Sequence, residues 1–437
     1  MPSNEPKEKP MTRRKLLASM GAAGALLAAG AGLPFEARAA SSTVPLTENK
    51  SWLNVKDFGA LGNGYDDDAP YIQSAIDSAS AKGGTVFLPA GKYYISRGLL
   101  LRNKVNLIGA GAGTTTIKAG NADMFMVYSG SSINNYSIEG ITFEGIGPSG
   151  ATGEIVERGI YMVEAANVSI DNCVFNGVAN GIRAARSQHV SITNCTFIKI
   201  FGTEASNEGY GIVIEGGANH TIQGNHFKNI NKYCIHLTAG STYSHVTGNI
   251  MEFTGDTAIM VSSRVSACSY HLIEANMVAP YALIDQKNSS TYGIRLKDAC
   301  SYNTIVNNVI SQAASAGIQL DAPENAGDDK PFGNTITGNS VYGSVRGISI
   351  LNSDGNSVKN NEVRRTETGI VVDVVGEGAS LSAKRNIVMN NSISQSSTAA
   401  VLVGSARCDS NTVFGNAGYD NAEAFKDSGT NTMTAGF

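Results

Sequence analysis

Residues 181–200 read GIRAARSQHVSITNCTFIKI, and the chain repeats this arrangement along most of its length. A short run that alternates apolar with other residues is followed by a turn, a second such run, an asparagine and a third run. The opening run recurs ten times at intervals of 22 to 35 residues, beginning at positions 159, 181, 211, 234, 258, 293, 317, 347, 369 and 400. A constant order of elements at such a period is typical of a solenoid.

Three strands with their turns describe one coil of a parallel β-helix. A single coil cannot bury its own apolar face, so consecutive coils must stack and pair strand on strand. In residues 293–297, GIRLK, Ile294 and Leu296 are expected to point inward while Arg295 and Lys297 face outward, because strand side chains alternate. We therefore predict an all-β, single-stranded parallel β-helix. The helical pattern of a leucine-rich horseshoe is missing.

An asparagine follows the second run in all ten repeats. We interpret this column as structural, because asparagine tolerates a tight left-handed corner and stacked asparagine side chains can hydrogen-bond along a ladder. The ten positions are Asn172, Asn194, Asn225, Asn249, Asn276, Asn308, Asn339, Asn361, Asn391 and Asn416.

The first 39 residues have the pattern of a bacterial twin-arginine signal peptide: Arg13 and Arg14, a modest apolar run, and a small-x-small cleavage signal at 37–39. A membrane anchor is the alternative, but the run is short and rich in glycine and alanine. We expect cleavage, a linker at 40–52, export by the twin-arginine machinery and a secreted, extracellular protein that does not stay in a membrane. The net charge is −4, and residues 1–39 carry six basic and three acidic residues, so their removal leaves −7 and argues against nucleic acid as a partner.

The N-terminal part resembles a known superfamily. Residues 54–96, NVKDFGALGNGYDDDAPYIQSAIDSASAKGGTVFLPAGKYYIS, and residues 105–118, VNLIGAGAGTTTIK, are similar to the opening of pectate-lyase-like proteins. The resemblance covers 53–118 and implies a right-handed β-helix that carries polysaccharide lyases, polygalacturonase relatives, uronan epimerases or phage tailspikes. We predict one domain at 53–437, with a cap and first coils at 53–118 and ten coils at 159–416. The segment APYIQSAIDSASA is expected to form the capping helix, with Asp66, Asp67 and Asp68 as N-cap and first-turn acids.

The outward positions of the opening strands form a groove that, in relatives with this fold, binds polysaccharide. Its polar residues therefore indicate a secreted carbohydrate-active enzyme that acts on an acidic polysaccharide, by lyase or epimerase chemistry. Abstraction of a proton beside a uronate carboxyl requires a base, a charge neutraliser and an acid. The candidates are His236 or Lys297 as base, Arg295 and Arg183 as neutralisers, and Tyr233 or Tyr292 as acid. The expected substrate-binding residues are Arg183, Glu215, Gln319, Asp321 and Tyr210.

Three alternatives stay open. A non-catalytic carbohydrate-binding or cell-surface β-helix would use the same groove without chemistry. The outward face could also be a solvated strip with an ordinary ion pair between Lys297 and Asp321. An inverting hydrolase needs two carboxyl groups about 6.5 to 9.5 Å apart, which Asp321 and Asp373, two coils apart, would only marginally satisfy. The frame of the alginate-epimerase motif YGFDPH is matched only at Tyr210 and Gly211.

No cofactor is indicated with certainty. The spacing of cysteine and histidine does not match a zinc site. Calcium is an open alternative at Asp321, Glu324, Asp328 and Asp329, since this cation prefers several carboxylate oxygens. Cys173 and Cys195 occupy equivalent positions in adjacent coils and are expected to be buried thiols, because parallel side chains in register point poorly for a disulfide.

Overall fold

The computed structural model describes residues 52–147, 158–202, 208–279, 292–325, 329–378 and 380–436. Within these ranges the strands form three long parallel sheets, each pairing one coil with the next. The chain is a right-handed parallel β-helix with an N-terminal helix, as predicted. No helix in the described ranges is long and apolar enough to cross a membrane. The predicted signal peptide and nearly all of the predicted linker lie outside them.

The first sheet, named the groove sheet, is built from the opening strands of the coils. Its thirteen described strands are Leu99–Leu100, Phe125–Ser129, Arg158–Val163, Asn180–Ala185, Tyr210–Glu215, Tyr233–Thr238, Thr257–Ser269, Tyr292–Ser301, Ala316–Asp321, Arg346–Leu351, Thr368–Asp373, Ala399–Val403 and Phe425–Asp427. Two of them, Thr257–Ser269 and Tyr292–Ser301, are much longer than the others, so the sheet extends further at this level.

The second strands of the coils form the back sheet. Its fifteen described strands are Trp52–Asn54, Gly84–Leu88, Val105–Gly109, Tyr136–Glu139, Ala166–Asp171, Gln188–Thr193, Thr221–Gln223, His245–Thr247, Leu272–Glu274, Thr304–Val306, Thr335–Thr337, Ser357–Lys359, Ile387–Met389, Thr412–Phe414 and Met433–Ala435. From Thr221–Gln223 onward, each of its described strands is three residues long.

The third strands form the side sheet, which completes each coil. Its thirteen described strands are Asn63–Asp67, Gly91–Ile95, Thr115–Ala119, Thr142–Glu144, Val174–Asn176, Thr196–Ile200, His226–Ile230, Ile250–Thr254, Met277–Ala279, Val309–Ser311, Ser340–Tyr342, Glu362–Arg364 and Ser392–Ser394. All three sheets turn their apolar side chains into one continuous core.

The glycine that opens most repeats makes room for a large side chain in the same coil. A Cβ atom at Gly181 would lie 2.7 Å from the ring of Phe197, and one at Gly211 would lie 2.7 Å from the ring of Phe227. These two rings stack on each other with centroids 4.7 Å apart. The repeated glycine is therefore a packing requirement of the core.

The asparagine column has two roles that fall on adjacent positions. From Asn225 onward, each buried asparagine donates through Nδ2 to Oδ1 of the next, at 2.9 to 3.0 Å, along eight coils that end at Asn416. The left-handed corner is the residue just before each ladder position, for example Gly224 and Asn307. Asn172 and Asn194 take the left-handed corner that was expected for this column, but they do not belong to the ladder.

A second asparagine ladder joins the groove sheet to the back sheet. Its side chains hydrogen-bond in the same way, at 3.0 to 3.3 Å, through Asn303, Asn334, Asn356, Asn386 and Asn411. The sequence analysis did not identify it, although NT or NS pairs mark several of these positions. The two ladders satisfy buried backbone groups that the turns leave unpaired.

The capping helix spans Ala69–Ser80 and buries Ile72 and Ile76 completely against the core. Its N-terminus differs from the prediction, because no acid lies in the first turn and Asp68 makes no side-chain capping bond. Asp67 instead accepts a hydrogen bond from the Ala69 amide at 3.1 Å. Asp68 is turned away and accepts from the amides of Leu61 and Gly62. A one-turn 3-10 helix, Val55–Phe58, precedes it.

All six cysteines are free and buried. This agrees with the prediction of packed thiols at Cys173 and Cys195. Cys268 and Cys300 form a second such pair, directly opposite each other in the groove sheet.

Candidate functional site

The groove sheet presents the outward columns expected from the sequence. Strand pairing places Arg183, Val213, His236, Met260, Arg295 and Gln319 in one column, and Ala185, Glu215, Thr238, Ser262, Lys297 and Asp321 in the next. A third outward column precedes these two and contains Arg158, Asn180, Tyr210, Tyr233 and Tyr292. Alternation within each strand accounts for the first two columns. The third column reaches the same surface because alternation is interrupted at the repeated glycine, where an added Cβ would point at a core ring.

A pocket of about 200 Å³ opens in the groove sheet between the strands that begin at Arg158 and Tyr233. Its lining combines Ile182 and Val213 with polar side chains, among them two arginines, two glutamates, a tyrosine and a histidine. These six residues are Arg158, Arg183, Glu208, Glu215, Tyr210 and His236. Four of the predicted site residues, Arg183, Tyr210, Glu215 and His236, therefore lie in one pocket.

Arg183 and Glu215 form an ion pair across adjacent coils. Nε of Arg183 donates to Oε2 of Glu215 at 2.8 Å, and Nη2 donates to the same oxygen. Both side chains keep about a third of their surface accessible. The guanidinium is thus oriented by Glu215 and still faces the pocket, where it can meet an anionic ligand.

A second ion pair, between Arg158 and Glu208, lies beside the start of the strand Tyr210–Glu215. Arg158 contacts both carboxylate oxygens of Glu208 at 3.2 Å, and Asn180 donates to the same carboxylate at 2.8 Å. The side-chain oxygen of Asn180 accepts from the amides of Gly209 and Tyr210, both at 3.1 Å. Asn180 thereby links Glu208 to the start of the strand that carries Tyr210.

His236 is held in the pocket by one hydrogen bond and two aromatic contacts. Its Nε2 lies 2.9 Å from Oγ of Ser262, and its ring centroid is 5.0 Å from that of Tyr233 and 5.8 Å from that of Tyr210. Burial, together with the positive charges of Lys232 and Arg183, lowers the pKa of His236 to about 3. The imidazole is neutral at neutral pH.

The two tyrosines beside His236 stack on each other. Their ring centroids are 5.4 Å apart, and the ammonium of Lys232 lies over both rings at 5.4 to 5.6 Å. Burial raises the pKa of both phenols, that of Tyr210 and that of Tyr233. Tyr210 lines the pocket and Tyr233 does not, so Tyr210 is the better placed proton donor.

A second cluster lies on the same surface, two coils beyond His236. Arg295 donates to both oxygens of Asp321 at 2.7 Å and stacks over the ring of Tyr292, with its guanidinium carbon 4.4 Å from the centroid. Gln319 also donates to Asp321, at 3.2 Å. The expected pair between Lys297 and Asp321 is wrong, because Asp321 pairs with Arg295.

The separation of the two clusters divides the predicted catalytic set. Lys297 lies two coils beyond Thr238 of the pocket, and Tyr292 lies two coils beyond Tyr233. One reacting sugar cannot contact both His236 and Lys297, because two strand spacings amount to about 9.6 Å. Arg295 and Tyr292 are occupied by each other and by Asp321.

The calcium site has little support among the described residues. Both oxygens of Asp321 accept hydrogen bonds from Arg295, and Asp328 lies outside the described ranges. Within those ranges, no group of three or more histidine, cysteine, aspartate or glutamate side chains is arranged to hold a metal ion.

Three residues of the pocket were missed by the sequence analysis: Arg158, Asn180 and Glu208. Arg158 and Asn180 directly precede the repeated glycine. Strict alternation assigns the outward side to that glycine and not to the residue before it, so the pattern gave no signal for these two residues. Glu208 lies in an inserted loop, FGTEASNEGY, whose return to the groove could not be predicted.

Comparison with known proteins identifies the family. A family model described as rhamnogalacturonase A/epimerase, pectate lyase-like matches residues 52–295. A second model, described as periplasmic copper-binding protein (NosD), matches residues 283–435. The first match covers more than half of the chain and includes the whole pocket.

Curated relatives match over short segments. Mannuronan C5-epimerase AlgE2 from Azotobacter vinelandii is 53% identical over 73 residues, which are 15% of this chain and 7% of that protein. Alginate lyase 7 from the same organism is 40% identical over 106 residues, 21% of this chain and 12% of that protein. The matches thus span only a small part of the relatives' length.

Solved structures share the fold over nearly the whole described chain. The A-module of Azotobacter vinelandii mannuronan C-5 epimerase AlgE4 aligns with a TM-score of 0.56 at 18% identity, covering 88% of this chain and 100% of that module. The Streptococcus pneumoniae surface protein and adhesin PfbA aligns with a TM-score of 0.55 at 17% identity, covering 87% and 99%. At these identities the likeness concerns the fold alone.

Proposed function

Because the chain belongs to the rhamnogalacturonase A/epimerase, pectate lyase-like family, we propose that it is an enzyme that modifies an acidic polysaccharide at the pocket of the groove sheet. The observation that carries this proposal is the convergence of Arg183, Tyr210 and His236 in that pocket. Together they supply a charge neutraliser, a protonated phenol and a neutral imidazole. These are the three groups that removal of a proton beside a carboxylate requires.

The proposed reaction begins at the uronate carbon that bears the carboxylate. Arg183 binds the carboxylate and stabilises the negative charge that spreads onto it when the neighbouring C5–H bond breaks. The proton passes to Nδ1 of His236, while Nε2 donates to Ser262. Burial is the main cause of the low pKa of His236, and the charges of Lys232 and Arg183 add to it. A carboxylate bound beside Arg183 offsets this added part, so the imidazole becomes more basic when substrate is bound.

Two outcomes are open to the resulting carbanion. Return of a proton to the opposite face of C5 gives the epimer. Cleavage of the C4–O bond gives an unsaturated uronate, with a proton from Tyr210 passing to the leaving oxygen. The names of the curated relatives, mannuronan C5-epimerases and an alginate lyase, support both outcomes and suggest alginate as the first substrate to test.

Hydrolysis is less well supported by the described residues. Glu208 and Glu215 each accept hydrogen bonds from an arginine, and so does Asp321. Asp321 is therefore not a free carboxylate that could act together with Asp373. An inverting hydrolase needs one carboxylic acid and one free carboxylate.

The test is incubation of the purified protein with alginate, pectate and a neutral glucan in deuterated water. Epimerisation incorporates deuterium at C5 without chain cleavage, and elimination adds the absorbance of unsaturated ends. Reducing ends without unsaturation would indicate a hydrolase and contradict the proposal. Tyr210→Phe and His236→Gln should each lower kcat by about 10²-fold or more, whereas Tyr243→Phe, an exposed tyrosine outside the pocket, should not.

A non-catalytic binding protein is the second candidate. The specific observation in its favour is the match to plasmin and fibronectin-binding protein A from Streptococcus pneumoniae, 42% identical over 57 residues. A binder would retain an acidic glycan on affinity electrophoresis without incorporating deuterium. The pocket brings an acid and a base together, which favours the enzyme over the flat strip that a binder would use.

We also propose that the protein is exported by the twin-arginine route. Arg13 and Arg14 support this proposal. Their joint replacement by lysine should retain the protein in the cytoplasm, as measured by fractionation. Unchanged secretion would indicate another route.

A further inference from the structure

We propose that Lys297 forms a distal subsite for a second carboxylate of the same polysaccharide chain, so that the groove selects polymers over short oligosaccharides. This inference rests on the proposed function, because it extends the pocket into a longer binding track. Its basis is the position of one cation relative to the pocket.

Lys297 shares a column with pocket residues. Strand pairing runs from Glu215 through Thr238 and Ser262 to Lys297, so the lysine lies three coils beyond Glu215 on the same side of the groove. From the strand of Arg183 the separation is four coils, about 19 Å at the usual spacing of strands. The long axis of the groove therefore joins two positively charged groups.

The charge of Lys297 is better available than that of Arg295. Arg295 donates to both oxygens of Asp321, so this pair contributes little net charge to the groove. Within the described ranges the ammonium group of Lys297 forms no hydrogen bond or ion pair. Burial raises the pKa of the adjacent Asp298, and the charge of Lys297 acts against that rise. Its acidic neighbour in sequence, Asp298, is buried, with Oδ2 3.8 Å from Nε of Arg264.

Three coils lie between Arg183 and Lys297, and their outward residues begin with Val213, His236 and Met260. Val213 and Met260 are buried, and Ser262 forms a hydrogen bond with His236. At about one strand spacing per pyranose, roughly four residues are needed to connect Arg183 with Lys297. A trimer bound at the pocket would not reach Lys297, but an octamer would.

The ligand class is thus a linear polymer with a carboxylate on most residues. A compact ammonium suits this role, because it contacts an anion from many directions and does not demand a fixed geometry. It should contribute to substrate binding and transition-state binding alike, and so affect KM and not kcat.

The test compares Lys297→Met with the parent on saturated uronate trimers and octamers. We expect KM for the octamer to rise about tenfold, with kcat unchanged, and no change for the trimer. Lys297→Arg should restore most of the octamer affinity. The matched control is Lys228→Met, which removes an exposed lysine on the side sheet and should leave both substrates unaffected.

An equal effect on trimer and octamer, or no effect on either, would overturn the inference while leaving the proposed function intact. Affinity electrophoresis in alginate gels separates the two hypotheses. If the parent has no activity but Lys297→Met migrates faster than the parent in alginate and not in a neutral dextran gel, the proposed function fails and the distal subsite stands. Equal migration of the two proteins in alginate would remove the subsite as well.

Discussion

Arg295 donates two hydrogen bonds of 2.7 Å to the two carboxylate oxygens of Asp321, one coil further along the groove sheet. Less than a fifth of either side chain is accessible to solvent. Desolvation disfavours the charge of Arg295, but the contact with Asp321 outweighs it, so the pKa of Arg295 is raised. We therefore infer that Arg295, expected to neutralise the substrate charge, is primarily part of the structure.

Arg295→Ala should destabilise the protein, because it leaves Asp321 partly buried without its partner. We expect a loss of about 2 kcal/mol in the free energy of unfolding, measured by urea titration. The control is Arg186→Ala, which breaks an exposed pair with Glu164 and should have a much smaller effect, because solvent screens it. Equal effects of the two substitutions would contradict the structural role of Arg295.

Arg183→Ala should affect activity more than stability, because Arg183 lines the pocket and keeps about a third of its side chain accessible. We expect kcat/KM on an acidic polysaccharide to fall about tenfold or more, the loss of one charge-assisted contact. Arg183→Lys keeps the charge but not the two-pronged geometry and should recover part of the rate. Parent-like turnover of Arg183→Ala would remove Arg183 from the proposed mechanism.

Asn180→Ala should act through Tyr210, since Asn180 accepts from the amide that begins the Tyr210 strand and donates to Glu208. Because the substitution should displace the phenol of Tyr210, we expect kcat to fall about tenfold with little change in KM. Asn167→Ala, which removes an exposed amide at the back sheet, is the matched control. A rise in KM with unchanged kcat would show that Asn180 contributes to binding and does not position Tyr210.

Stability should fall as the pH drops from about 6.5 to 4, partly through His220. This side chain is buried, and burial lowers its pKa to about 4 from an ordinary 6.5. Below pH 6.5 the unfolded chain therefore binds a proton that the native state does not, which favours unfolding. His220→Leu should flatten the dependence of the melting temperature on pH in this window. An unchanged slope would assign the acid sensitivity to other groups.

Loss of the side chain should destabilise the protein strongly at Asn308 and hardly at all at its neighbour Asn307. Asn308 is buried in the ladder, where its amide donates to Asn339 and to the carbonyl of Ile273, so Asn308→Ala should cost about 3 kcal/mol. Asn307 takes the left-handed corner with φ 55°, where glycine is accommodated without strain, so Asn307→Gly should be nearly neutral. Urea titration measures the free energy of unfolding of both variants. A larger loss for Asn307→Gly than for Asn308→Ala would contradict the assignment of Asn308 to the ladder and Asn307 to the corner.

Much of the architecture could be read from the chain, because each coil repeats the same local rules. Alternation along a strand determines which side chain points outward, and repetition determines that equivalent residues of successive coils lie side by side. These two rules correctly predict the surface on which His236, Arg295 and Glu215 lie. The same argument placed Cys173 beside Cys195.

Alternation and repetition do not predict the side-chain contacts that form the pocket. Arg158 meets Glu208 across 50 residues, through a loop whose length interrupts the repeat. Asp321 had two basic neighbours of similar reach, Arg295 and Lys297, and the rotamers chosen in the folded protein pair it with the arginine. Local periodicity specifies the face of the sheet on which a side chain lies. The partner of that side chain depends on how the loops close and on competition between long, flexible side chains. Both are decided only when the coils stack.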